Sequence, residues 1–358
     1  MILSCIFLLF IVVINKKNLR DIFTNQEMLL WYFFFLLWYS IRLIDATFLQ
    51  RSQVDYVSIY FINTITIFLC INFSNLKQYV TKVIFTLSLF YLGASFLSFY
   101  FLAENQLSGF INIFTLVGIN FDGSIYQNIG LWLSFLILIS FDYLTKIKND
   151  FSTNKPNNLL YLFVFISSLI FLLIIGARGA FVATAIALFY LAKNFNFKNF
   201  SIVTILFFIV VGLILAQNQD NLLAGNSTIF RLLGLLNSGD DSARIYLFSN
   251  AIELWTSSFK TLFFGGGVKS FPIFINQNIT GWYPHNIFLE VLCELGLVGL
   301  LIFLKILLIG FNNIRNNNIG MALSIFMIVL FCVTGSIDSS YHILFFLSLY
   351  SHENLIQN

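Results

Sequence analysis

Of the 358 residues, 59% are apolar and only 10% are charged, and the mean hydropathy is +0.88. A soluble domain carries about 25% charged residues, so a water-facing fold of this size is excluded and lipid has to be the solvent for most of the surface. The net charge of +3 decides little, because in a membrane protein the placing of charges matters more than their sum.

A helix needs about 20 apolar residues to cross a bilayer. Taken in chain order, the predicted spans are 1–14, 28–44, 54–73, 83–102, 125–142, 158–176, 179–192, 200–217, 286–310, 319–335 and 337–350. The first run is followed, not preceded, by Lys16, Lys17 and Arg20, the reverse of a secretory signal peptide, which predicts a retained helix with its N-terminus outside. The stretch 107–121 is apolar but broken by Gly109, Asn112 and Gly118, so it reads as a re-entrant or interfacial segment. With this orientation every short loop assigned inside carries Lys or Arg, among them Lys77, Lys82, Lys146, Lys148, Lys155, Lys193, Lys198 and Arg315, as the positive-inside bias requires.

The expected fold is therefore all-α: a polytopic integral membrane protein of about eleven transmembrane helices, one domain over residues 1–358, with a single large extracytoplasmic loop at 218–285. Inside that loop, Ile245, Leu247, Phe248, Ile252, Leu254 and Trp255 fall at helical spacing. They predict an amphipathic helix over 242–260 that lies against the membrane or caps the bundle. Cys5, Cys70, Cys293 and Cys332 sit singly in apolar runs and read as small core residues. Three histidines are too few for a multi-histidine metal site.

Three clusters of polar residues stand out, since charge beside lipid needs a partner or a purpose. The first is Gly176-Ala177-Arg178-Gly179-Ala180, where small residues let two helices approach closely and Arg178 faces whatever lies above the mouth; the bland alternative is a snorkelling anchor. The second is the loop itself, where Arg231 and Arg244 offer planar, permanently charged donors suited to phosphate oxygens and Gly265-Gly266-Gly267 follows. Ordinary surface charge is the alternative there.

The third runs from Tyr283 through Pro284, His285, Asn286, Glu290 and Glu294 to Gly296 and Gly299. Pro284 suits the first turn of a helix, which puts His285 at the outer end of the ninth span, where the helix dipole disfavours imidazolium and leaves the neutral form a general base needs. Asn286, Glu290 and Glu294 share one face. Glu290 should lie about 7 Å and Glu294 about 13 Å below His285, with Gly296 and Gly299 as a close-packing notch. The alternative is an interfacial histidine with structural glutamates. Asp338 and His342 open the last span, and Asp45, Arg51 and Asp55 form a short outside loop expected to be ion-paired.

An Arg between Gly and Ala at a helix mouth, then a long loop with Ser-x-Arg and a glycine run, then His-Asn-x-x-Leu-Glu-x-x-x-Glu-x-Gly-x-x-Gly resemble, in order and spacing, the O-antigen polymerase and O-antigen ligase superfamily. The resemblance covers roughly 170–300. It implies a metal-independent, cofactor-free glycosyltransferase in the bacterial inner membrane that uses an undecaprenyl-diphosphate-linked oligosaccharide at the periplasmic face. Carried over by position, Arg178 and Arg244 would hold the diphosphate and His285 would activate the acceptor hydroxyl. Arg231, Asn286, Glu290 and Glu294 are the candidate substrate contacts. A chain-length regulator is an expected partner beside the lipid bilayer, and nucleic acid is not.

The chemistry agrees: preorganised Arg groups stabilise a departing diphosphate, and an attacking hydroxyl needs a base within hydrogen-bond reach. P-loop and Rossmann fingerprints are both missing from the sequence. Short length and a Phe-, Ile- and Asn-rich composition, typical of an AT-rich exchangeable gene, favour a polymerase over a ligase. A flippase, the competing class, needs ionisable residues at mid-membrane on several helices, whereas here they are nearly confined to Glu290 and Glu294.

Overall fold

The computed structural model describes residues 27–45, 59, 62–72, 77–101, 125–146, 155–175, 177–193, 242–275 and 282–351. Predicted spans 1–14 and 200–217, the segment 107–121, and Arg51, Asp55, Gly176 and Arg231 lie outside them. The helices are α1 (Glu27–Leu43), α2 (Asn63–Asn72), α3 (Lys77–Phe101), α4 (Ile125–Lys146), α5 (Lys155–Ile174), α6 (Arg178–Ala192), α7 (Ser242–Thr256), α8 (Phe259–Phe264), α9 (Ser270–Phe274), α10 (Ile287–Ile314), α11 (Asn318–Thr334) and α12 (Tyr341–Leu349). A 3₁₀ turn, Ile337–Ser339, precedes α12, and no strand occurs among the described residues. Among the described residues, three stretches are long and apolar enough to cross a membrane: Lys77–Phe96, Gln127–Lys146 and Ile287–Ile314. Asn158–Ile174, Arg178–Ala192 and Asn318–Thr334 are shorter apolar helices.

The chain divides into two compact units, Met1–Lys77 with Asp241–Asn358, and Gln78–Asp240. In the second unit α4 packs along α5 and against α6. The α4–α6 seam is made of small residues. A side chain at Gly130 would come within 2.6 Å of the Ala177 methyl and 3.1 Å of that of Ala180. Further along the same seam the Thr184 hydroxyl bonds that of Ser134 at 2.7 Å, and Ala183 and Ala187 are fully buried. This is the small-residue packing by which helices associate where lipid removes the usual hydrophobic drive. On α3, Phe85 meets Tyr161 of α5 and Tyr91 stacks on Trp132 of α4.

In the first unit α10 is the central helix, touching α1, α7, α8, α9, α11 and α12. α1 shows why sequence and burial agree: Met28, Leu29, Tyr32, Phe35, Leu36 and Tyr39 are buried, while Leu30, Phe34, Leu37 and Ile41, spaced by four, three and four residues, are exposed. An apolar stripe on the outside as well as the inside is the pattern of a helix with protein on one face and lipid on the other.

Two expectations are corrected. The helix predicted over 242–260 ends at Thr256, because Ser258 adopts an extended backbone (φ −156°) and caps a new helix, accepting from Thr261 N while the Thr261 side chain accepts from Ser258 N. Such a reciprocal capping pair favours a helix start over continuation. Gly296, read as a packing notch, is a break in α10, with φ 71° and ψ −173°, a conformation essentially confined to glycine. Gly299 does open space, since a side chain there would crowd the Trp38 indole at 3.2 Å.

The break gives a direct test. Gly296→Ala should lower the unfolding free energy in detergent by on the order of 3 kcal/mol, because the added methyl also collides with the Phe263 carbonyl and the Gly265 amide. Gly93→Ala, on an exposed stretch of α3 with nothing within 4 Å, should be neutral or stabilise by up to about 1 kcal/mol. Thermal unfolding of both variants checks the contrast.

Candidate functional site

The helix bearing the His-Asn motif begins one turn later than the proline suggested. Asn286 is its N-cap, its side-chain oxygen accepting from the amides of Phe288 at 3.0 Å and Leu289 at 3.1 Å, and Ile287 is the first helical residue. Asn286 thus satisfies orphan amides at the helix start. Pro284 stands before the helix rather than in its first turn, and His285 has a left-handed backbone, φ 55°. Its imidazole is therefore held by a turn, not carried on the helix. Lys269 is the other non-glycine residue with positive φ among those described. Backbone strain of this kind costs on the order of 1–3 kcal/mol and clusters at functional sites.

Around His285 the polar groups converge. The Tyr283 ring lies 4.1 Å from the imidazole between centroids, and its hydroxyl donates to the Thr334 carbonyl at 3.2 Å. Burial, followed by the Glu290 and Asp338 carboxylates, pushes the Tyr283 hydroxyl up to about 12 against the opposing pull of Lys269 and Arg244, so the phenol stays protonated. Burial and then the Arg244 guanidinium hold His285 below the ordinary histidine value. Both effects favour the neutral imidazole, and they come from burial and Arg244 rather than from a place in the helix.

Arg244 is positioned by the buried face of α7. Leu247, Ala251 and Leu254 pack with Phe271, Ile275 and Cys293, and Trp255, Phe274, Trp282 and Leu289 close the edges. Cys293 is thus a core residue. This fixes the first turn of α7 beside the head of α10.

Beneath His285, Glu290 is 1% exposed. One of its oxygens accepts from the Ile337 amide at 2.9 Å and the other lies 4.0 Å from the Lys269 ammonium. Glu294 is also buried, and its backbone carbonyl accepts from the Gly267 amide at 3.0 Å. Asp338 is bonded by the Ser336 hydroxyl, and His342 Nδ1 lies 3.0 Å from the Ser339 carbonyl.

The glycine run is anchored twice over. Gly266 donates to the Cys293 carbonyl at 2.8 Å beside the Gly267–Glu294 bond, and Arg42, itself 5% exposed, donates to the Gly265 carbonyl at 2.9 Å. Asp45 pairs with Arg42 at 2.5 Å and Lys260 at 3.5 Å. Partial burial works to raise Asp45, but the two cations outweigh it and hold it below the usual carboxylate range.

Of the predicted site residues, His285, Asn286, Glu290, Glu294 and Arg244 belong to one unit. Arg178 heads α6 in the other unit, half-buried behind Ala177, which offers no side-chain cap. Lys269 and Arg42 were not singled out from the sequence; the signal available for both was a lone cation next to an apolar helix or a glycine run. Among the described residues no group of three or more His, Cys, Asp or Glu is placed to hold a metal ion.

No curated protein and no solved structure matches the chain. Residues 163–304 match the sequence model of the O-antigen ligase family, a stretch that contains Arg178, Arg244, the glycine run and the His-Asn motif. Over that segment, which is less than half of the chain, the sequence is similar to the O-antigen ligase family.

Proposed function

We propose that the protein is an O-antigen polymerase, transferring an undecaprenyl-diphosphate-linked glycan onto a lipid-linked repeat unit at the periplasmic face of the inner membrane. The observation that carries the reading is a half-buried His285 held in a left-handed turn at the head of α10, with burial and the Arg244 charge lowering its proton affinity. In the reaction the acceptor hydroxyl attacks the anomeric carbon and the bond from that carbon to the diphosphate oxygen breaks. His285 takes the hydroxyl proton, and Arg244 stabilises the charge that develops on the departing diphosphate. An imidazolium formed beside Arg244 is repelled, which favours passing its proton on to the diphosphate and restoring the base.

The same machinery would serve a ligase, with lipid A-core as the acceptor, and the matched family's description favours that second reading. The lipopolysaccharide ladder of a deletion strain separates the two. Collapse to core plus one repeat unit identifies a polymerase. Loss of all repeats from lipid A-core, with long chains still built on the carrier, identifies a ligase. An unchanged ladder overturns both and leaves the flippase reading to be tested by translocation.

Complementation with His285→Ala, expressed at wild-type level, should fail, and in a purified transfer assay its rate should fall by about 10²- to 10⁴-fold, the usual contribution of a general base. The pH profile provides a further check. Because the folded protein holds His285 below its ordinary value of 6.5, the neutral base persists as pH falls through 6.5. Transfer should be lost only as pH drops through the lower folded value, so an acid limb centred above 6.5 would contradict the assignment.

A further inference from the structure

We propose that Lys269 is a phosphate-binding residue of this site, completing with Arg244 a two-cation cradle beside His285 for the diphosphate of the lipid-linked donor. The inference rests on the transfer reaction proposed above and adds a residue to it.

Lys269 is held from both sides. Upstream, the amides of Gly266 and Gly267 are bonded to the Cys293 and Glu294 carbonyls, and a side chain on Gly265 would strike the α10 backbone, so the glycine run is seated on α10 with no slack. Downstream, α9 begins at Ser270 and its Phe271 is fully buried in the cluster beneath α7. Between these anchors Lys269 adopts φ 59° and ψ 26°. Glycine or asparagine is the ordinary occupant of such a position, and a lysine there carries a steric cost. The cost is offset if the ammonium is needed where this backbone sends it.

That place is defined by its neighbours. The ammonium lies 4.0 Å from one oxygen of Glu290, whose other oxygen is taken by the Ile337 amide. This is near enough to offset the buried carboxylate and too far to donate a hydrogen bond to it. The side chain is 26% exposed. Lys269 and Arg244 also act on one point, the Tyr283 hydroxyl, whose ring rests against His285. The packing of Leu247 with Phe271 and Cys293 ties the helix that bears Arg244 to the segment that bears Lys269 and to α10, so two cations, one a planar fork and one a compact point charge, come from adjoining segments. That combination suits a group with several anionic oxygens.

A structural role for Lys269, as the counter-ion of Glu290 alone, predicts different behaviour, and a double variant separates the two. The full-length protein in detergent or proteoliposomes is titrated with undecaprenyl diphosphate, and transfer is measured with lipid-linked repeat unit from the source bacterium. Lys269→Met should weaken undecaprenyl diphosphate binding and raise KM by about 10- to 100-fold, with kcat changed only a few-fold, and Lys269→Arg should restore most of the affinity. In the double variant Glu290→Gln with Lys269→Met no buried carboxylate is left without its cation, yet binding should stay weak. Recovery of wild-type affinity in that double variant, or unchanged binding in a folded Lys269→Met protein, overturns the inference. A wild-type protein that neither binds undecaprenyl diphosphate nor transfers glycan would overturn the underlying functional reading instead.

Discussion

The break in α10 at Gly296 is the constraint on which the first unit is arranged. A helix that stops inside an apolar environment leaves carbonyls with no water to take their hydrogen bonds, and each one costs several kcal/mol if unpaired. Here the carbonyls of Cys293, Glu294 and Leu295 accept from Gly266, Gly267 and the Trp38 indole. Those donors can approach only because residues 265 and 296 have no side chain where the two backbones meet. Arg42 then fastens the Gly265 carbonyl to α1. One backbone discontinuity thus accounts for a glycine run, a buried arginine, and the docking of the segment after α7 on the helix that begins with the His-Asn motif.

The electrostatics follow from that docking. Seating the glycine run on α10 brings Lys269 to Glu290, and Glu290 fastens the amide of Ile337 at the turn before α12. Three segments distant in sequence are tied around one buried carboxylate, and Tyr283 and His285 sit at its upper edge. The imidazole is held neutral by two effects that act in the same direction, burial and a nearby guanidinium. A carboxylate in direct contact would have done the reverse and favoured imidazolium. In the proposed reaction Arg244 would have two consequences at once: a cation suited to an anionic leaving group also lowers the proton affinity of the neighbouring imidazole.

Much of this was legible in the sequence, and the failures have identifiable causes. Hydropathy alone located α1, predicted over 28–44 and found over 27–43, and likewise α6 and α11 to within a residue or two, because a span is a long one-dimensional signal. The close-packed seam of Ala177 and Ala180 was readable for the same reason, since small residues near a charged one in an apolar run have few other uses. What could not be read was backbone conformation. Pro284 fits a first helical turn as well as the residue before an N-cap, and nothing in the letters says that Asn286 rather than an earlier residue takes the capping role. Ser257-Ser258 divides a helix that apolar periodicity runs straight through. Gly296 reads equally as a notch or a break, and a left-handed lysine has no sequence signature at all.

The two left-handed residues carry the last step. Among the described residues, only His285 and Lys269 bear a side chain at positive φ, and both belong to segments gathered around Glu290. A polypeptide under no other demand would put glycine or asparagine at such positions, as it has put glycine at 265, 267 and 296. Keeping an imidazole and an ammonium there costs stability that the surrounding anchors must supply: the Asn286 cap, the Thr334–Tyr283 bond, the glycine-run hydrogen bonds and buried Phe271. Those anchors hold the backbone on both sides of each residue and leave its side chain to be aimed. A transferase, which must hold a diphosphate and a base in one geometry while a bond breaks, needs that rigidity.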